Sequence, residues 1–85
     1  MLDEVEVRNR LRDFVEKNFL LGKDSASLKN DDSFMDTGIV DSTGVLEFVS
    51  FLQEIWSIEV TDEELQPENF DSIKNLTAFV LKKKA

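Results

Sequence analysis

The sequence predicts an all-α fold: a four-helix bundle of three main helices and one short one, with a long loop between helices one and two. Three observations carry this. Apolar residues recur at three- and four-residue intervals in three separate stretches. No stretch alternates long enough for a convincing strand, and Ile58-Glu59-Val60 is too short to qualify. The 85 residues, 41% of them apolar, allow one small domain over 1–85 with a real core.

The first helix is expected over roughly residues 3–20, where Val7, Leu11, Phe14, Val15 and Asn18 or Phe19 share a face. Gly22 follows as a C-terminal cap. Lys23 to Asp41 is polar and aperiodic, a loop long enough to be functional or pinned, with Phe34 and Ile39 as its core anchors. Gly38 is expected in a turn that a Cβ would disfavour. A second helix is expected from Ser42 to Ser57, largely buried through Val45, Phe48, Val49, Leu52, Ile55 and Trp56. Thr61-Asp62-Glu63-Glu64 fits a capping box opening a short turn of helix. Pro67 interrupts that turn, and Phe70 plugs the core from a brief third helix. Ser72 or Asp71 caps the last helix, in which Ile73, Leu76, Phe79 and Val80 share a face and Lys82, Lys83 and Lys84 suit the dipole at its end.

Composition removes whole classes of chemistry. Without cysteine there is no disulfide, thiolate metal site or thiol nucleophile, and without histidine the usual general base and commonest zinc ligand are missing. No phosphate-cradling glycine motif occurs. A calcium loop starting at Asp32 would need glycine where Thr37 stands, so no metal site is expected. Glu63 and Glu64 read as a solvated helix start, not a catalytic pair. An autonomous enzyme is not expected. The longest apolar run, Ala78–Leu81, spans no membrane, and the acidic start Met1-Leu2-Asp3-Glu4 is unlike a secretory signal, so a cytoplasmic protein is expected.

The net charge of −8 is segregated. Residues 1–30 balance six acids with six bases, 31–72 hold twelve acids and no base, and 73–85 hold four lysines and no acid. Such a centre repels nucleic acid and anionic membranes and steers toward basic protein surfaces, although acidity also serves plain solubility.

One constellation stands out: Phe34-Met35-Asp36-Thr37-Gly38-Ile39-Val40-Asp41-Ser42-Thr43-Gly44, followed by an apolar helix. It puts Ser42 where a long loop enters a buried helix, so its hydroxyl is expected to be exposed. The free N–H groups and positive dipole end there favour an attached phosphate. The plainer alternative is that Asp41 or Ser42 is merely an N-cap, worth about 1 kcal/mol. The whole layout resembles the acyl carrier protein family over nearly the full chain. It does so through Phe34 eight residues before Ser42, the Asp41-Ser42 pair, Glu47 on the next helix and the segment Ile58-Glu59-Val60-Thr61-Asp62-Glu63-Glu64-Leu65. The Gly38-Ile39-Val40-Asp41-Ser42-x-Gly44 wording is more similar to D-alanyl, aminoacyl and other specialised carriers than to those of fatty acid synthesis.

The resemblance implies 4′-phosphopantetheine attached to Ser42, with Asp41 contacting the phosphopantetheinyl transferase that loads it. It implies a non-catalytic, monomeric carrier of acyl or aminoacyl thioesters in a lipid or specialised biosynthetic pathway. Its partners would be an acyl- or aminoacyl-loading ligase and downstream transferases or condensing enzymes with basic docking surfaces. Asp36, Thr43, Leu46, Glu47, Ser50 and Glu54 are the expected recognition residues. The second hypothesis is a carrier-like helical adaptor that is never pantetheinylated.

Overall fold

Asp3 starts the first helix: its carboxylate accepts the Val5 N–H at 3.0 Å, and α1 runs over Glu4–Val15 with Glu4 and Glu6 at its positive end. The computed structural model describes residues 3–20, 29–40 and 42–84, with Ser42 and Pro67 described by their backbone. Val7, Leu11 and Val15 are fully buried along one stripe of α1. A π-helical turn, Glu16–Leu20, then continues it. A strict 3.6-residue repeat would carry Asn18 onto the buried face. The wider turn rotates the chain by about one residue. Phe19 and Leu20 therefore face the core, and Asn18 stays exposed with its Nδ2 donating to the Phe14 carbonyl at 2.9 Å. The expected cap at Gly22 lies outside the described residues.

The stretch expected to be an irregular loop contains a helical turn, α2, over Phe34–Thr37. Ser33 caps it, its Oγ accepting the Asp36 N–H at 3.1 Å, and Gly38 closes it in the left-handed conformation at φ 75°. Four residues with one cap cannot hold a helix alone. Asp71 supplies the rest: its carbonyl accepts the Phe34 N–H and its carboxylate accepts the Met35 N–H and the Ser33 hydroxyl. Asn30 ties down the other end, its carbonyl accepting the Lys74 N–H at 2.7 Å and its side chain the Arg12 guanidinium at 2.6 Å.

Helix α3 spans Ser42–Trp56. Phe48, Leu52 and Trp56 are buried as expected, but Ile55, assigned by spacing to the apolar face, is 41% exposed. The stripe through 45, 48, 52 and 56 is already complete, and position 55 falls at its edge. Ser57 ends the helix with φ 56°, donating to the Gln53 carbonyl at 2.9 Å. Thr61 and Glu64 make the reciprocal capping pair at 3.1 and 3.3 Å, yet the segment goes no further than a turn. Pro67 does not interrupt a helix but starts one: α4 is Pro67–Phe70, with proline in the first turn, where its missing N–H costs nothing. Phe70 reaches the core from it. Ser72 caps α5, Ile73–Lys84, by accepting the Asn75 N–H at 3.0 Å, which leaves Asp71 for the α2 contacts.

Phe34, Phe48 and Phe70 are the largest fully buried side chains. Phe34 stacks on Phe48 at 5.6 Å, Phe48 meets Phe14 and Phe19 at 5.4 Å, and Phe14 stacks on Phe51 at 4.2 Å. This aromatic seam joins α1, α2 and α3, while α5 closes the other side with Ile73, Leu76 and Val80. Trp56 is core, edge-on to Phe51.

A left-handed serine costs about 1–2 kcal/mol that glycine avoids, offset in part by the greater freedom of an unfolded glycine. Ser57→Gly is therefore expected to raise stability by about 0.5–1 kcal/mol, read from urea midpoints; a loss would contradict the αL cap.

Glu64 accepts two hydrogen bonds from the Lys83 ammonium, at 2.8 and 3.1 Å, across to α5. These, then the Thr61 N–H, hold its carboxyl below the usual value of 4.5 against a smaller opposing effect of desolvation. The folded state thus binds this proton less tightly than the unfolded chain. The stabilisation is complete above 4.5 and is lost as pH falls through the lower folded value. Glu64→Gln is expected to lower the urea midpoint at neutral pH and to converge on wild type in acid. Parallel curves would mean that Glu64 titrates normally.

Candidate functional site

The entrance to α3 is built on an absence of side chain. A Cβ on Gly44 would lie 2.6 Å from Val40 Cγ1 and 3.0 Å from the Phe19 ring, so the backbone of the first turn lies directly on these two residues. Phe19 reaches that spot through the π-helical turn. Val40 reaches it because the chain folds back after α2, with the Ile39 and Val40 N–H groups both donating to the Phe34 carbonyl at 3.0 and 3.3 Å. Ser42 is the first residue of α3, two positions before this wedge, and the first turn carries no acid. The fold thus presents a fixed helix N-terminus whose dipole is uncancelled by a neighbouring carboxylate of its own turn.

Beyond Ser42 the outer face of α3 forms one wall of a groove of about 350 Å³. Thr43, Leu46, Glu47, Ser50 and Glu54 line it with Phe51, and Phe14 and Asn18 form the opposite side. Five of the six residues expected to serve recognition thus lie along one groove. Asp36 is exposed on α2 and lines no part of it, and Asp41 lies outside the described residues. Leu46 is 57% exposed, a large apolar residue one turn beyond Ser42, and Met35 on α2 is also exposed. Phe14 and Asn18 were not anticipated; their signal was the helical period of the first segment, which spoke only for burial. Among the described residues no three carboxylates are grouped to hold a metal ion, and no helix is long and apolar enough to cross a membrane.

The described helices pack into a small all-helical bundle with Ser42 as the first residue of α3. An acyl carrier protein of Lactobacillus acidophilus is 29% identical to this chain over 65 residues, covering 76% of this chain and 79% of that protein. No family model matches the chain. The likeness supports the acyl carrier protein family and, with it, a carrier role.

Alanine in place of glycine inside a helix gains about 1 kcal/mol in propensity, while overpacking a filled site costs about 1–3 kcal/mol. At Gly44 the overlap lies with Val40, short and 3% exposed, so the steric cost wins. Gly44→Ala is expected to lose about 1 kcal/mol of stability by urea unfolding; a more stable variant would mean that Phe19 and Val40 give way freely.

Proposed function

We propose that the chain is a discrete, single-domain carrier that bears 4′-phosphopantetheine on Ser42 and moves acyl or aminoacyl groups between partner enzymes of a lipid or specialised biosynthetic pathway. The observation that carries this reading is Ser42 at the head of α3, in a first turn free of acids and held by the Gly44 wedge. When bound, the group supplies the thiol on which acyl groups are carried as thioesters, which suits a chain without cysteine. The protein's own part is positional. The N–H groups of the α3 first turn favour the phosphodiester anion on Ser42, and Gly44 keeps that turn from shifting. Asp41 adjoins the attachment site in sequence and is assigned to contact with the transferase. Thr43, Leu46, Glu47, Ser50 and Glu54 offer partners an acidic rim around exposed apolar surface, with Asp36 as a separate acidic point on α2. Basic docking surfaces on a loading ligase, transferases or condensing enzymes complement them. No step is catalysed by the chain itself, and a cytoplasmic monomer meets these needs.

Incubation of the unmodified protein with a promiscuous phosphopantetheinyl transferase and coenzyme A tests this directly. Intact mass is expected to rise by one phosphopantetheine for wild type and not at all for Ser42→Ala, whose helical circular dichroism stays near wild type. Modification of that variant would overturn the site, and an unmodified wild type would favour the adaptor. Glu47→Lys is expected to slow loading, and so is added salt, which screens charge beyond about 10 Å at 0.1 M. Indifference to both would make recognition apolar.

A further inference from the structure

We infer that Asp71, in the link between α4 and α5, is a positioning residue for the modification of Ser42: it holds α2 in the place from which Val40 grips the head of α3. That Ser42 is modified rests on the carrier reading; the link from Asp71 to α3 does not. Asp71 is itself well anchored, because Phe70 before it and Ser72 and Ile73 after it are all buried. From there it makes three bonds to the start of α2. Its carbonyl accepts the Phe34 N–H at 2.6 Å, and its carboxylate accepts the Met35 N–H at 3.0 Å and the Ser33 hydroxyl. Among the described residues it pairs with no cation, so its oxygens serve α2 alone.

The other half of the link starts from the same residue. The Phe34 carbonyl accepts the Ile39 and Val40 N–H groups at 3.0 and 3.3 Å, so the residue that Asp71 holds by its N–H also places Val40 by its C=O. Val40 Cγ1 then fills the space that a Cβ on Gly44 would need, two positions from Ser42. A continuous series of contacts therefore joins Asp71, Phe34, Val40 and Gly44. Phe34 has a second support, its ring stacked on Phe48 at 5.6 Å. Apolar contact is not directional, whereas hydrogen bonds to a carboxylate are both directional and strong. The ring thus sets where α2 lies, and Asp71 sets how it is turned. A loose α2 leaves the gripped arrangement only partly populated. A transferase then binds more weakly by that fraction and reacts normally once bound. Asp71 is accordingly felt in KM and not in kcat.

Loading of the unmodified protein by a promiscuous phosphopantetheinyl transferase and coenzyme A, followed by intact mass over a range of carrier concentrations, tests this. Asp71→Ala is expected to raise KM about fivefold with kcat near wild type, a factor that one ordinary hydrogen bond is worth. Asp71→Asn keeps an oxygen for the Met35 N–H and is expected to fall between the two. Ser33→Ala breaks the bond to Asp71 without changing charge, and its KM is expected to rise as well. A normal KM there beside a raised one in Asp71→Ala would mean that the enzyme reads the Asp71 charge, and would overturn the inference. Ser72→Ala loses the α5 cap and no bond to α2. It is expected to be less stable with an unchanged KM; a rise equal to that of Asp71→Ala would reduce the effect to general stability and overturn the inference too. In the unmodified protein, hydrogen exchange of the Ile39 and Val40 amides is expected to quicken by a similar factor in Asp71→Ala and not in Ser72→Ala. Unchanged exchange in Asp71→Ala would overturn the link whatever the loading gives. A wild type that takes no pantetheine would count against the carrier reading, while the exchange still judges Asp71.

Discussion

The close approach of Phe19 and Val40 to the backbone at Gly44 is the constraint on which the rest of the site depends. In the proposed reading the N-terminus of α3 has to stay open to a modifying enzyme, which sets a conflict, because exposed helix ends fray. Here the conflict is met two residues in from the end. Removing one Cβ lets the half-buried Phe19 ring and the buried Val40 lie against the first turn, so the helix is gripped from below while its outer face stays open. The groove exists for the same reason, since the outer face of α3 is left to solvent only because its inner face is fully engaged.

The grip needs both partners delivered to the spot, and each delivery has its own physical cause. Phe19 arrives through the π-helical turn, which uses one extra residue to rotate an aromatic inward where an asparagine would have pointed. Val40 arrives because α2 is held as a strap. Asp71 binds its start through Ser33, Phe34 and Met35, Gly38 reverses it, and Phe34 is stacked on Phe48 beneath. Residues about 36 positions apart in sequence therefore set the geometry of the turn that leads to Ser42. The Asp71 side chain, in the link between α4 and α5, thereby helps to set where the head of α3 lies.

Much of this was legible in the sequence and some was not, for identifiable reasons. The helical stripes of α1, α3 and α5, the Ser72 cap, the Thr61–Glu64 pair and the Phe34 anchor follow from period and capping chemistry, which act locally. The helical turn α2 was not visible, because it is stabilised by Asp71 from the far side of the chain. The π-helical turn could not be told from a regular continuation, because both Asn18 and Phe19 fit a period within one residue. Pro67 was misjudged because the capping box upstream suggested a helix already under way. Gly44 was legible only as part of a shared wording, when its cause is steric and three-dimensional. At the site, the resemblance pointed to Thr43, Leu46, Glu47, Ser50 and Glu54 on the second main helix, but the opposite wall, Phe14 and Asn18, belongs to another helix, whose period spoke only for burial.

Charge and packing work here at different ranges. Charge is felt at a distance while the aromatic seam acts only on contact, and the two meet in the groove, where Glu47 and Glu54 lie with Phe14 and Phe51. The most direct test of the gripped helix is a two-dimensional NOE spectrum of the unmodified protein. Cross-peaks between the Phe19 ring and the Gly44 α-protons, together with peaks from both to the Val40 methyls, are the expected result. A spectrum in which Phe34 still contacts Phe48 but Phe19 shows no peak to Gly44 would contradict the account, since the head of α3 would then stand free of the core.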